Sequence, residues 1–406
     1  MNYLKSPDFP LHLMAYWWLV WITLSLSPLN EFLAPSWATI GQFLLLVTSF
    51  VAGHLAMKRW RPFDPAATPT LARGLQIRTA RMRGLFAVGL FGCLVMLAVS
   101  LKMAGALDTN FVEYFARMRL QLAEGGTPTL TGVRALDVLT KILAFPLSYV
   151  AVAMLLSVEL NAGTGKLFLV SLVNVLCFAY LWQVNYPFIH LFWFMVFYTL
   201  LTAQRRGVFN KRILTVATLL FAGLMMSAAN RFGGDILGGF QRYIVGYHLI
   251  GFSFYDHQYL DPHSVLHTYS FGRSSLGFLD QVLEALLKPL SLGYRAASFE
   301  NAAFNEDAVD IGAHVSMEFN AFGTILFGLY RDFHLIGIFL GGFAYGAVAT
   351  LARYRSARSW RAGTLFFMLG AAWMMGMMVN PLEEVYFWFT ITTIGLLSLA
   401  NRGLRW

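Results

Sequence analysis

Apolar stretches of roughly 17 to 24 residues recur along the whole chain, each bounded by a short polar connection, and a run of about 20 apolar residues is what a helix needs to cross a bilayer core. The pattern predicts about ten spans, at 12–29, 37–57, 84–107, 135–157, 167–183, 187–204, 213–229, 334–352, 362–380 and 385–400. Between the seventh and eighth lies a stretch with no spanning segment, 230–333. The expected fold is an all-α polytopic integral membrane protein with about 10 transmembrane helices and one large extracytoplasmic loop. Residues 1–229 carry spans one to seven and an outer loop at about 108–134. Residues 230–333 form the large loop, and residues 334–406 the last three spans and a cytoplasmic tail. The first span lacks a charged leader and a small-residue cleavage site, so it is expected to be retained.

Composition agrees with that class. The chain is 57% hydrophobic and only 13% charged, about half the charged share of a soluble domain. Orientation follows from the Lys and Arg of the short connections. Those at 58–83, 205–212 and 353–361, with Lys5, Lys166, Arg402 and Arg405, fall on one side if ten spans leave both termini in the cytoplasm. The opposite connections, near 30–36, 184–186 and 381–384, hold no Lys or Arg. The net charge of +9 is therefore mostly a topology signal, and no nucleic-acid partner is read from it. Cys93 and Cys177 both fall in apolar spans, so no structural disulfide is expected.

The loop 230–333 is rich in Gly and aromatics, and pieces such as "LHTYSFGRSSLGFLDQVLEALLKPL" read as short helices resting on the membrane face. It opens with "NRFGGDILGGFQRY", in which Arg231, Asp235 and Arg242 would share one helical face. Outward arginines at headgroup depth suit an anionic partner, because guanidinium keeps its charge and matches phosphate geometry. Local pairing is the competing reading for each, since the loop holds eleven Asp and Glu against six Lys and Arg. Tyr243, Tyr247, Phe252, Phe254 and Tyr255 fit a sugar-stacking surface or an interfacial aromatic belt. His263 and His267 stand four apart, metal-ligand spacing, but no third ligand follows at a fixed offset, and no metal or other cofactor is assigned. A general base fits better, drawn from the loop histidines or from Asp235, Asp256 or Asp332. Ionisable residues within the spans are few, which favours surface chemistry over alternating access.

Residues 320–346, "NAFGTILFGLYRDFHLIGIFLGGFAYG", resemble the region entering a late span of Wzy-type O-antigen polymerases. Asn320, Tyr330, Asp332, Phe333, Gly337, Gly342 and Gly346 occupy the family's pattern of an Asn-aromatic start, a Tyr, an Asp-Phe-Gly-like turn and a Gly-rich helix. His334 stands where Gly is more usual. The opening of the loop is similar too, with Arg231, Asp235, Ile236, Tyr243 and Gly246, and "YFARMRL" resembles an Arg-bearing first large loop through Arg119 or Arg117. An Arg-x10-Gly pattern of some members is not reproduced, because Arg242 stands at that place.

The resemblance implies a glycosyltransferase of the C type without a nucleotide sugar. Its donor is a growing glycan on undecaprenyl diphosphate at the periplasmic face of the inner membrane, and its acceptor is one lipid-linked repeat unit. It implies membrane lipid around the spans, and a chain-length regulator and a flippase as protein partners. On that reading Arg231, Arg242 and Arg273 hold the diphosphate with Arg119 and Arg295 assisting, Tyr243 and Tyr247 face sugars, and Asp235 or His314 is the base. The rival readings are an O-antigen ligase that transfers glycan to lipid A core, and a non-enzymatic flippase or exporter of lipid-linked sugars.

Overall fold

A computed structural model describes residues 6–60, 145–157, 162–181, 186–206, 215–223, 236–290, 292–304, 308–314, 316–319, 323–356 and 359–402, with scattered positions between 87 and 98 and at 225. The described residues are mostly helical. Helices α1 (Phe9–Ser25), α2 (Trp37–Trp60), α3 (Phe145–Leu156), α4 (Ala162–Leu181) and α5 (Tyr186–Arg206) come first. A short turn at Ile236–Phe240 and a π-helical segment at Gln241–Gly246 then lead into α6 (Tyr247–Leu260). The later elements are α7 (Phe278–Leu287), α8 (Ala297–Phe304), a hairpin of β1 (Val309–Asp310) and β2 (Glu318–Phe319), α9 (Ile325–Arg355), α10 (Trp360–Met375) and α11 (Val385–Arg402). Two of these, α2 and α9, are long and apolar enough to cross a membrane, and shorter apolar stretches run over Leu147–Leu156, Gly165–Ala179 and Tyr186–Thr202.

The bundle is built by close backbone approach where side chains are small. A Cβ on Gly53 of α2 would lie 2.0 Å from the Phe343 carbonyl oxygen, and one on Gly346 of α9 would lie 2.0 Å from that of Phe50. With Gly342 facing Leu46 and Ser49 at 2.7 and 3.0 Å, α2 and α9 pack through a small-residue seam. Helices α1 and α10 are joined differently. The Trp18 indole N–H donates to the Trp373 carbonyl at 3.1 Å, and the Trp373 indole donates back to Met14 at 3.0 Å. Both rings are fully buried, so each indole needs its acceptor.

The bundle has two distinct ends. At one, Asp8 precedes Pro10 in the first turn of α1, but its carboxylate leaves the helix uncapped and receives Lys58 at 2.5 Å and the Tyr354 hydroxyl at 2.6 Å. At the other, the 30–36 connection takes the hairpin onto itself. Leu33 N–H donates to Ile311 at 2.8 Å and Ala313 N–H to Glu31 at 2.9 Å.

Helix positions differ from the sequence expectation at several places, among them α10, which ends at Met375, five residues short of the expected 380. Helix α1 ends at Ser25, four residues short, because Asn30 turns back to donate to the Ser25 carbonyl at 2.8 Å. Helix α9 joins two helical stretches across a kink at Phe333 and His334: the stretch after the kink begins where the eighth span was expected, and a buried helical stretch, 325–332, precedes it inside the expected loop. The segment 247–260 is no surface helix. Phe252, Phe254 and Tyr255 are fully buried core, so the surface expected of them, for sugars or for the interface, is not formed there. The expected span 84–107 lies largely outside the described residues, as do parts of 135–157 and 213–229.

Candidate functional site

At the hairpin end, the first turns of α9 organise the late loop. Asp332 is buried, and its carboxylate accepts from the Ser270 hydroxyl at 2.5 Å and from the backbone N–H of Ser274 and Ser275 at 3.0 and 2.9 Å. Phe271 and Gly272 make this possible. Both are left-handed, at φ 52° and 89°, and they reverse the chain into a one-turn helix, Arg273–Leu276, whose first amides meet that carboxylate. The neighbouring residue holds the other half of the loop. The buried Arg331 guanidinium donates to the Ala297 carbonyl at 2.9 Å, to Asn301 at 2.5 Å and to Glu300. Consecutive positions on one helix thus clamp two segments far apart in the chain.

Asn301 extends the network. Its amide donates to the Ser274 hydroxyl at 2.9 Å and to Glu383 at 2.7 Å, and Asn380 donates to the same Glu383 oxygen at 3.1 Å. Glu383 keeps some exposed surface as a residue, but its carboxyl is packed in protein, and that burial pushes it up to about 7 against the two amide bonds. The approach of the 380–384 connection requires Gly277, at φ 48°, where a Cβ would lie 2.2 Å from the Leu382 carbonyl oxygen.

The chain then breaks helical geometry. Inside α9, Phe333 has φ −148° and ψ 28°, and His334 has φ 51° and ψ −135°. Glycine reaches the second conformation freely, whereas a residue with a Cβ holds it at roughly 1–3 kcal/mol. What holds it is ring stacking. The His334 ring lies 4.2 Å from Tyr269 and 4.7 Å from Tyr330, nearly parallel to both. Tyr269 stacks in turn on Phe271 at 5.6 Å, and Tyr330 meets Tyr259 edge-on at 5.7 Å. Tyr269, Phe271 and Phe333 stay exposed at 53%, 72% and 43%. An aromatic wall with one histidine therefore stands beside the kink, and His334 Nε2 is enclosed without a hydrogen-bond partner among the described residues.

The residues singled out in the sequence are dispersed around this wall. Arg273 lies 4.6 Å over the Tyr294 ring, donates through Nε to the Tyr294 hydroxyl at 3.0 Å, reaches Asp280 at 3.5 Å, and bonds the Arg295 carbonyl. Burial works against its charge, but Asp280 and Tyr294 outweigh it and hold the guanidinium above its ordinary pKa. Much of its donor capacity is spent on the protein. Arg295 is exposed with no ion pair among the described residues. His314 is exposed at the hairpin turn. Arg242 and Tyr243 sit on the π-helical segment, an insertion often found at functional positions, and Tyr247 opens α6 after it. Arg119, Arg231 and Asp235 lie outside the described residues, and with them the shared face expected of Arg231, Asp235 and Arg242.

The expected helical turn from His263 to His267 is instead a single 3₁₀ turn at Val265–His267 capped by Ser264. His263 is exposed, whereas His267 packs toward Tyr259 and Tyr330. Among the described residues no three His, Cys, Asp or Glu side chains converge as a metal site would need. Sequence reasoning missed Tyr259, Tyr269 and Phe271. The usable signal was "TYSFG", two aromatics flanking a serine ahead of a glycine, but nothing local ties them to a turn some 60 residues later.

No family model, no curated protein and no solved structure matches the chain.

Proposed function

We propose that the chain is a ten-span inner-membrane glycosyltransferase of the Wzy-type polymerase kind, with both termini cytoplasmic and its active face periplasmic. It joins undecaprenyl-diphosphate-linked repeat units into O-antigen or a similar surface polysaccharide. A hydroxyl of the acceptor unit attacks the anomeric carbon of the donor glycan, its proton passes to a base, and undecaprenyl diphosphate leaves with the bonding electrons. Negative charge grows on the departing diphosphate, so preorganised arginines act mainly on the transition state, at about 10²–10³ in rate per donor. Arg231, Arg242, Arg273, Arg295 and Arg119 are the candidates for that role, with Asp235 or His314 as base. Membrane lipid surrounds the spans, and a chain-length regulator and a flippase are the expected partners.

One observation carries the reading. The resemblance calls for an Asp-Phe-Gly-like turn ahead of a Gly-rich helix, and His334 departs from it. Yet the backbone at His334, φ 51° and ψ −135°, is the conformation a glycine would supply. Gly337, Gly342 and Gly346, from the same pattern, each meet backbone atoms within 2.7 Å of a built Cβ. A glycine-like backbone at His334 supports the reading, and the histidine adds a ring to a wall suited to sugar faces.

The test uses purified protein in liposomes with a defined undecaprenyl-diphosphate-linked oligosaccharide, products being resolved by single repeats. A ladder is expected, and it should vanish in Arg231→Ala while protein level and membrane insertion persist. No ladder, in an assay where a known polymerase gives one, would sink the proposal. Transfer appearing only when lipid A core is added would mark a ligase instead.

A further inference from the structure

Helix α7 is polar on the side that faces the protein and apolar on the side that does not. Asp280 is buried, accepting from the Tyr294 hydroxyl and, at 2.7 Å, from Ala297 N–H. Gln281 donates to Ser298 at 2.8 Å, and Glu284 accepts from Ala296 N–H at 2.5 Å. These three share one face with Gly277, at offsets of three, four and seven. The opposite face carries Leu279, Val282, Leu283 and Leu286, at offsets of three, four and seven, exposed by 38% to 67%, and the 3₁₀ turn that follows, Lys288–Leu290, adds Leu290, exposed by 64%. Between 276 and 293 the only exposed charge among the described residues is Lys288.

A water-facing surface helix shows the reverse arrangement. The exposed row amounts to a contiguous apolar patch on the order of a few hundred Å², the size at which an interaction surface is expected. Its surroundings name the occupant. The helix lies beside the start of α11, Phe278 and Phe389 being 6.2 Å apart, and the preceding turn packs on α9. Just past its kink α9 shows its own outward apolar row, with Leu335, Ile336, Phe339 and Leu340 exposed by 45% to 66%. The two apolar surfaces belong to the same end of the bundle. Lys288 and Arg295, both exposed, supply the cations that anionic headgroups attract.

We propose that α7 is seated in the membrane interface, its Leu row among the upper acyl chains and its carboxylates turned inward to the loop. The inference rests on the membrane-spanning part of the function proposed above and not on the glycosyl transfer. Seating fixes the depth of Arg273, which is tied to Asp280 of the same helix, and so sets a lipid headgroup phosphate within the height of the loop's cations.

The test is site-directed spin labelling of full-length protein in phosphatidylethanolamine–phosphatidylglycerol liposomes, with Cys93 and Cys177 replaced by Ser. Labels go at Leu283→Cys and Leu286→Cys, at His263→Cys as an aqueous reference, and at Leu340→Cys as a check on the span. Collisions with oxygen are expected to exceed those with a water-soluble nickel chelate several-fold at 283, 286 and 340, with the ratio inverted at 263. Nickel access at 283 and 286 with a lipid profile at 340 would overturn the seating alone. Nickel access at 340 as well would overturn the membrane reading beneath it. Shielding of 283 and 286 from both probes would replace lipid by a second copy of the chain and equally overturn the proposal.

Discussion

Removing the Asp332 carboxylate should release the turn at 270–276 and leave the bundle standing. In Asp332→Ala the amides of Ser274 and Ser275 lose their acceptor, and the Ser270 hydroxyl loses a 2.5 Å partner. An orphaned buried donor costs about 1–3 kcal/mol. The hydroxyl is a free rotor whereas the two amides are fixed by the backbone, so the amides dominate, and we take about 3 kcal/mol for the pair. That is about a hundred-fold increase in the local opening constant at 1.4 kcal/mol per decade.

Asp332→Asn separates this clamp from a generic charge effect. One carbonyl oxygen keeps the Ser270 and Ser274 bonds, but the amide nitrogen then faces the Ser275 N–H, donor against donor. About half the loss is expected, roughly a ten-fold increase in opening. Hydrogen exchange by mass spectrometry in detergent reads both variants on peptides covering 268–278, with α2 peptides as the internal reference. Protection should fall in the order wild type, Asn, Ala, in that loop and at the kink it supports, and nowhere else in the bundle. Unchanged exchange at 274 and 275 in the Ala variant would refute the clamp, and equal loss throughout α9 would show that Asp332 supports the helix itself.

Two further outcomes follow from the packing. Glu383, pushed by burial from its ordinary 4.5 up to about 7, binds a proton more tightly folded than unfolded, so its contribution is greatest below the unfolded value and falls as pH rises to the folded one. Thermal stability in detergent should decline across that window, and Glu383→Gln, which keeps an acceptor for Asn301 and Asn380, should flatten the decline; equal slopes in the two proteins would remove Glu383 as the cause. Gly346→Ala places a Cβ 2.0 Å from the Phe50 carbonyl oxygen and must part α2 from α9, at about 1–3 kcal/mol. Gly41→Ala, with nothing within 4 Å, should be neutral or slightly stabilising, and equal melting points for the two variants would contradict the seam.

The long apolar runs were legible because a helix in lipid or in a buried bundle needs length and little else. Boundaries were less so. The stretch 325–332, which the sequence places in the loop, carries two charges in "GLYRDF", and both are satisfied by the late loop, Arg331 by Glu300 and Asn301, Asp332 by three donors from 270–275. A charge ends a predicted span only when its partner is water, and here the partners lie 30 and more residues away. The local partners of Arg273 were hidden for a related reason. Arg273 was chosen as a phosphate ligand by residue type, but Asp280 seven residues on, Tyr294 and a backbone carbonyl take part of its fork. Counting eleven acids against six bases foresaw that pairing in bulk without saying which arginine pairs.

The kink reverses the usual weight given to a mismatch. In the sequence His334 weakened the resemblance, because glycine is the residue expected at such a turn. The backbone there is left-handed all the same, and a left-handed histidine needs something to hold it. Tyr269 and Tyr330 on its two sides supply that hold, and Tyr269 comes from the loop that Asp332 and Arg331 clamp in place. Strain, stacking and clamp are thus coupled. Opening the 270–276 turn loosens the ring that keeps His334 in its conformation, so Asp332→Ala should disturb the aromatic wall without touching any member of it. A glycine at this position would leave the kink indifferent to the loop, whereas histidine makes the shape of α9 depend on the loop being closed.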